Sequence, residues 1–254
     1  SPIELFWKKV TPNLAEFSHV FLNQMEFTLK PFATEPSSHV SPPLPKTSFQ
    51  PIYLQSFSSL ATKGEWKSVE DATLPPGSET GIIIHTIVER YFEERKELQE
   101  IIDDETKGTH LESYQETLRS VLDRVLDLSL GPFTLRQVTN VFPEMEFLFP
   151  TGNAYLKGFI DLCVEYEGKY YLIDWKTNVL EDYSPQTLEK VMIDNDYLLQ
   201  GKIYTEALQR YLPLYGDLSI EGIFFIFIRG PAFYALPGSR DAIISAIAQK
   251  ARAF

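Results

Sequence analysis

Apolar residues recur along this chain with two different periods, and the period predicts the element. Near the N-terminus Leu14, Phe17, Phe21, Leu22 and Met25 follow helical spacing, which predicts a helix over Pro12–Leu29. Pro31, Pro36, Pro42, Pro43, Pro45 and Pro51 come next. A stretch so poor in amide donors predicts an extended arm or linker. Ordered sequence resumes at Ser56–Leu60, and Pro75-Pro76-Gly77 marks a turn. Ser78 or Thr80 can cap a helix expected from about Gly81 to Ile101. A second helix is expected over Thr109–Leu128 and is ended by Gly131-Pro132; Val138–Phe149 then reads as a strand broken by Pro143.

The segment from Leu156 to Thr177 changes to a strand period. Two β-rich runs flank Glu167-Gly168, a two-residue hairpin turn. If Tyr166 pairs with Lys169, counting back in register brings Asp161 directly opposite Asp174. Side chains of such partners lie about 4.5–5.5 Å apart on one face. Lys176, two residues beyond Asp174, shares that face. The opposite face is expected to hold Ile160, Leu162, Val164, Tyr171, Ile173 and Trp175, while Phe159, Cys163 and Leu172 accompany Asp161. Two carboxylates that close among apolar neighbours repel and raise a pKa unless a cation lies between them. Their oxygens suit Mg²⁺ or Mn²⁺, and the neighbouring lysine suits a water or a phosphate. For an isolated Asp/Asp pair an incidental surface ion pair is the commoner explanation. Here the setting among Ile, Leu, Val and Tyr, where charges are costly, favours a site.

Downstream, Tyr197 begins a helix after Asp194-Asn195, a natural cap. Tyr197, Gln200 and Tyr204 form one stripe of that helix, and a glutamine inside an aromatic stripe needs a hydrogen-bonding partner. Ile223–Ile228 reads as a buried strand, followed by Arg229-Gly230, for which no role follows. Lys169, Lys190 and Lys202 read as solvated charges, and Cys163 as packing.

Composition narrows the class. The chain has 254 residues, 44% hydrophobic and 23% charged, as in ordinary globular proteins. No apolar run approaches the ~18 residues that span a bilayer, and no signal-peptide pattern opens the chain, so a cytoplasmic protein with no membrane partner is expected. The first residue is Ser rather than Met, which reads as a piece of a longer protein. A single cysteine excludes an internal disulfide framework and a Cys-ligated iron–sulfur cluster. No Walker-type phosphate loop is present, so the chain is not itself an ATP-driven motor. The net charge of −12 argues against a domain that captures DNA by its own field. Either some carboxylates hold a cation, or a partner delivers the nucleic acid.

Gly158-Phe-Ile-Asp161 followed by Ile173-Asp174-Trp-Lys176 resembles the core of the PD-(D/E)XK nuclease superfamily, specifically its RecB branch. Ile160 stands where the superfamily's name has proline. The resemblance covers roughly residues 50–235. It implies an α/β fold: a mixed central β-sheet flanked by helices, the restriction-endonuclease-like core. Residues 1–50 would form an N-terminal helix and Pro-rich tether, and residues 51–254 the nuclease domain. Gly81-Ile-Ile-Ile-His85 is similar to the first helical motif, whose His ligates the metal. The resemblance implies His85, Asp161, Asp174 and the backbone carbonyl of Trp175 as metal ligands. It leaves Glu89 as an orienting or structural residue. A glutamate ahead of an aromatic is also part of the pattern; Glu144 fits it better than Glu146, and both share a face of a regular strand. Glu144 would complete the metal shell or hold a second ion. Lys176 would orient or polarise the attacking water. Gln200 and Tyr204 are similar to a QxxxY motif that lies near metal, phosphate and bases, with Tyr197 beside them.

The implied activity is Mg²⁺-dependent hydrolysis of DNA, as exonuclease, endonuclease or both, of the exodeoxyribonuclease V type. Mn²⁺ is an alternative, and Ca²⁺ is expected to bind without supporting cleavage. The implied partners are DNA, chiefly single strands, a helicase domain of the same polypeptide and RecC/RecD-like subunits, in break processing and recombinational repair. A stand-alone nuclease, a non-catalytic DNA-guiding module and an unrelated acidic binding protein stay open as alternatives. On the nuclease reading, Asp174→Ala or Lys176→Ala leaves a folded, inactive protein.

Overall fold

The two β-rich runs on either side of Glu167-Gly168 are the central hairpin of a computed structural model that describes residues 53–60, 73–152, 154–212 and 219–238. The helix over Pro12–Leu29, the Pro-rich stretch and the tether expected of residues 1–50 lie outside the described residues. The hairpin consists of β3 (Ala154–Tyr166) and β4 (Lys169–Lys176). Glu167 and Gly168 have φ of 52° and 76°, the pair of left-handed residues that a tight hairpin of this twist requires.

Among the described residues, four further strands complete a six-stranded mixed sheet. They are β1 (Tyr53–Gln55), β2 (Asn140–Thr151), β5 (Ser219–Phe227) and β6 (Ala232–Pro237). β2 pairs antiparallel along nearly all of β3. The other edge of β3 takes β1, in parallel, at residues 154–156 and β4 at residues 162–166. Between those two contacts the edge of β3 from Lys157 to Asp161 has no strand partner among the described residues. β5 runs parallel to β4, so the chain crosses over between them through helices.

Helices cover both faces. On one side α2 (Ser78–Glu94), α3 (Leu98–Thr106) and α4 (Gln115–Leu126) pack Ile84, Ile87, Ile101, Leu118 and Val121 onto Leu162, Val164, Ile173 and Trp175. On the other, α5 (Pro185–Asp194) and α6 (Tyr197–Tyr211) close a core with Ile160, Cys163, Leu172, Phe225 and Phe227. A short helix, α1 (Phe57–Leu60), follows β1. The expected fold class is therefore the observed one.

Several local expectations are corrected. The helix expected over Gly81–Ile101 starts at Ser78, with Gly77 rather than Ser78 or Thr80 at the cap, and breaks after Glu94. Arg95 takes φ 56°, and its guanidinium reaches the carbonyls of Val138 and Thr139 at 3.4 and 2.7 Å. The Thr80 hydroxyl instead meets His110 Nε2 at 2.7 Å. The Thr109–Leu128 helix begins as a 3₁₀ turn at Glu112–Tyr114 and ends at Leu126. Asp196, with φ 54°, precedes α6, while Asn195 turns back to donate to the Val191 carbonyl.

Pro143 does not break β2. Among the described residues the strand pairs with β3 alone, and proline is tolerated on such an edge. The irregularity is the next residue, Glu144, with φ 46°. There the alternation of both strands slips. Met145 and Phe147 pack in the α5–α6 core, and so does Phe142. On β3, Ile160 joins that same core although Leu162 and Val164 face the other. Ile160 is thus not on the face a regular strand assigns it. Gly158 lies where β3 meets Phe147: an added Cβ would stand 2.5 Å from its ring.

Candidate active site

The site forms where β3 and β4 part. Their ladder ends at Leu162–Ile173, one rung short of the expected Asp161–Asp174 pair. In place of that rung, Trp175 donates its N–H to Asp161 Oδ2 at 2.8 Å. The two aspartates therefore flank a fork in the sheet. Glu144 faces Asp161 from the other side, since Pro143–Leu162 and Met145–Ile160 pair on either side of it.

Asp174 and Lys176 project toward α6. Asp174 is 1% exposed and Lys176 9%. Asp174 Oδ1 accepts from Gln200 Nε2 at 2.7 Å and from the Tyr204 hydroxyl at 2.8 Å. Gln200 Nε2 also donates to the Tyr204 oxygen, and Gln200 Oε1 accepts from Lys176 Nζ at 2.8 Å. This satisfies the glutamine that the sequence left needing a partner. The Lys176 ammonium pairs with Asp174 Oδ2 and sits 4.0 Å from the centre of the Tyr197 ring, which stacks on Phe225. Among the described residues, that ammonium is the one partner of Asp174 Oδ2.

His85 comes in from α2, its Nδ1 3.8 Å from Asp161 Oδ2. Its seat depends on close packing one turn earlier: a Cβ on Gly81 would stand 2.8 Å from Thr177 Oγ1. Glu144 is half-buried, whereas Glu146 pairs with Lys157 away from the fork. The geometry separates two residues that a regular strand could not.

The charges are under strain. Burial, then the Asp174 carboxylate, raises the Asp161 pKa well above the usual range. Burial, then Glu89, Glu93 and Asp174, pushes Glu144 up to about 7. Burial lowers the pKa of His85, keeping the imidazole neutral. Burial also pulls Lys176 down, but Asp174, Tyr197 and Asp161 outweigh it, and the net shift is upward. Lys176 is an ammonium here.

The sequence model of the PD-(D/E)XK nuclease superfamily matches residues 54–251. The chain belongs to this superfamily. Among curated proteins it is similar to the RecB subunit of the RecBCD enzyme from Chlamydia pneumoniae, with 36% identity over 66% of this chain and 18% of that protein. The RecB subunit of Borreliella burgdorferi is 25% identical over 76% of this chain and 22% of that protein. That of Escherichia coli is 42% identical over 35% of this chain and 8% of that protein. The chain thus spans at most about a fifth of the length of these relatives. A solved structure of a putative exonuclease from Eubacterium rectale aligns with a TM-score of 0.44 and 13% identity, over 69% of this chain and 65% of that one.

For a RecB-type PD-(D/E)XK domain, the fork gathers His85, Glu144, Asp161, Asp174, Trp175 and Lys176, with Gln200, Tyr204 and Tyr197 behind them. Neither Gln200 nor Tyr204 is open to a base, at 8% and 3% exposure; both grip Asp174 from beneath. Cys163 is buried packing, its thiol pushed up to about 12 by burial.

Arg229 was given no role by its sequence. Its buried guanidinium donates to the carbonyls of Thr177 at 2.9 Å, Leu74 at 2.8 Å and Pro75 at 2.7 Å. It thereby ties the end of β4 to the segment that leads into α2. The one signal in the sequence was a cation directly after a fully apolar strand, which needs acceptors. Arg229→Ala should cost about 3 kcal/mol by leaving buried carbonyls unpaired, read as a lower urea midpoint, with Arg229→Lys recovering part of it.

Proposed function

We propose that this chain is the Mg²⁺-dependent deoxyribonuclease domain of a RecB-type helicase-nuclease, hydrolysing phosphodiester bonds during the processing of broken DNA. The observation that carries this reading is the buried Asp174–Lys176 pair held by Gln200 and Tyr204 beside Asp161 and His85. Such a concentration of charge at a sheet fork costs stability and answers a chemical need.

Nucleases of this superfamily generally use divalent metals. The donors here suit one in kind: a neutral imidazole, hard carboxylate oxygens and an Asp174 oxygen whose one partner is the Lys176 ammonium. His85 Nδ1 and Asp161 Oδ2, 3.8 Å apart, are within the roughly 4.2 Å that two ligands of one Mg²⁺ can span. Among the described residues no three such side chains already close on one point. Asp174 is turned toward Lys176 instead. His85, Asp161, Asp174 and the Trp175 carbonyl would hold the ion, with Glu144 completing the shell. A bound Mg²⁺ supplies Lewis-acid stabilisation of the developing phosphorane charge.

The chain's own groups do the rest. Asp174 and Gln200 fix the Lys176 ammonium, which donates a hydrogen bond to the attacking water or a phosphate oxygen rather than removing a proton. Tyr204 and Gln200 set the orientation of the Asp174 carboxylate. Trp175 N–H holds Asp161 in place. With a net charge of −12, the domain receives its strand from a motor and RecC/RecD-like partners in the cytoplasm. No helix among the described residues is long and apolar enough to cross a membrane.

Lys176→Met tests the assignment while keeping the packed stem. Cleavage should fall by about 10²–10³ in kcat with KM little changed, since the lost interaction matters most in the transition state. Parent-like turnover would remove Lys176 from the mechanism.

A further inference from the structure

On the face of β3 that leads to the fork, Tyr155, Lys157, Phe159 and Asp161 follow one another at about 6.6 Å intervals. The residues between them, Leu156, Gly158 and Ile160, turn inward toward Phe147 and its core. The outward row stays open. Phe159 is 45% exposed and Tyr155 39%, while Leu54, opposite Tyr155 on β1, is 63% exposed.

This exposure is concentrated. Seven large hydrophobic residues are exposed among the described residues. Tyr53, Leu54, Leu60, Leu148, Tyr155 and Phe159 lie on the adjoining elements β1, α1, β2 and β3. The seventh, Ile82, lies one turn before His85 on α2. Of these, Leu54, Leu148, Tyr155 and Phe159 share one face of the sheet, since Leu54 pairs with Tyr155 and Leu148 with Lys157. Apolar surface gathered on one face marks a binding site rather than chance exposure. A groove follows the unpaired edge of β3, lined by Leu54, Gln55, Ser56, Ser59, Lys157 and Phe159.

We propose that this row is a stacking track that carries a DNA single strand to the fork, an inference that rests on the nuclease reading above. Aromatic faces accept any base, and a lysine between them meets the backbone phosphates. Lys157 already lies 5.6 Å from the centre of the Phe159 ring, with Glu146 as its present counter-ion. A phosphate can replace that carboxylate. Apolar burial alone would serve a protein partner equally well. The row's alternation of ring and cation, and its end at Asp161, favour a strand that must arrive at the carboxylates.

The experiment is fluorescence anisotropy of a fluorescein-labelled oligothymidylate with the full 254-residue chain, in EDTA and low salt, where nothing is cut. Phe159→Ala and, separately, Tyr155→Ala should each weaken binding about tenfold. Lys157→Ala should weaken it and reduce its salt dependence. Both rings are exposed, so unchanged melting temperatures verify that folding is intact. Equal affinities for parent and ring variants, or no binding by either, overturn the track. Because binding is read without cleavage, a chain that binds through Phe159 yet neither cuts DNA nor binds Mg²⁺ or Mn²⁺ keeps the track and removes the nuclease reading.

Discussion

Asp174→Ala is expected to lose DNA cleavage by at least about 1000-fold and, at the same time, to lose about 3–5 kcal/mol of stability. The loss of activity is the simpler part, since this carboxylate stands at the fork and fixes Lys176. The second effect follows from burial. Removing Asp174 leaves the Lys176 ammonium without its counter-ion and takes the shared acceptor from Gln200 and Tyr204. To the folded, inactive variant expected from the sequence, burial therefore adds a stability cost. Asp174→Ala combined with Lys176→Met should regain most of the lost stability, because replacing both buried charges is far cheaper than stranding one. It should regain no cleavage. Urea unfolding of the three proteins checks this, and a double variant no more stable than the single one contradicts the ion-pair argument.

Asp161→Asn should behave in the opposite way on stability. Burial and Asp174 raise the folded-state pKa of Asp161 above its unfolded value. A carboxyl shifted in that direction favours folding while protonated. The benefit is lost as pH rises from the unfolded pKa through the folded one, so at pH 8 the ionised group opposes folding. Asparagine removes the charge and can still accept the Trp175 N–H. The variant should melt as high as the parent or a few degrees higher at pH 8, with little difference at pH 4, and should not cleave DNA. Mg²⁺ at about 100 times its Kd should stabilise the parent by about 2.7 kcal/mol, and the variant much less. A variant that melts lower at pH 8, or gains as much from Mg²⁺, would show that Asp161 carries neither the strain nor the ion.

Much of this site was legible because its key features are local. Two left-handed turn residues fix the register of the hairpin, and the register brings Asp161 and Asp174 to the same end of it. The need of Gln200 for a partner was visible in its helical stripe, although the partners, Asp174 and Lys176, lie 26 and 24 residues away. What escaped depends on other strands. Ile160 changes face because Glu144, on β2, adopts φ 46°, and nothing within β3 signals that. The same kink separates Glu144 from Glu146. Arg229 finds two of its acceptors 154 and 155 residues earlier in the chain. The helix break at Arg95 carries no Gly or Pro, and its anchor is the entry to β2.

Incubating the purified chain with linear single-stranded DNA and Mg²⁺, with EDTA and Asp174→Ala as parallel controls, decides whether the fork is a nuclease site. The parent with Mg²⁺ should yield fragments, and both controls should leave the DNA intact. Cutting that survives either control, or a folded parent that neither cuts DNA nor binds Mg²⁺ or Mn²⁺, would show that the fork is not a metal-dependent nuclease site.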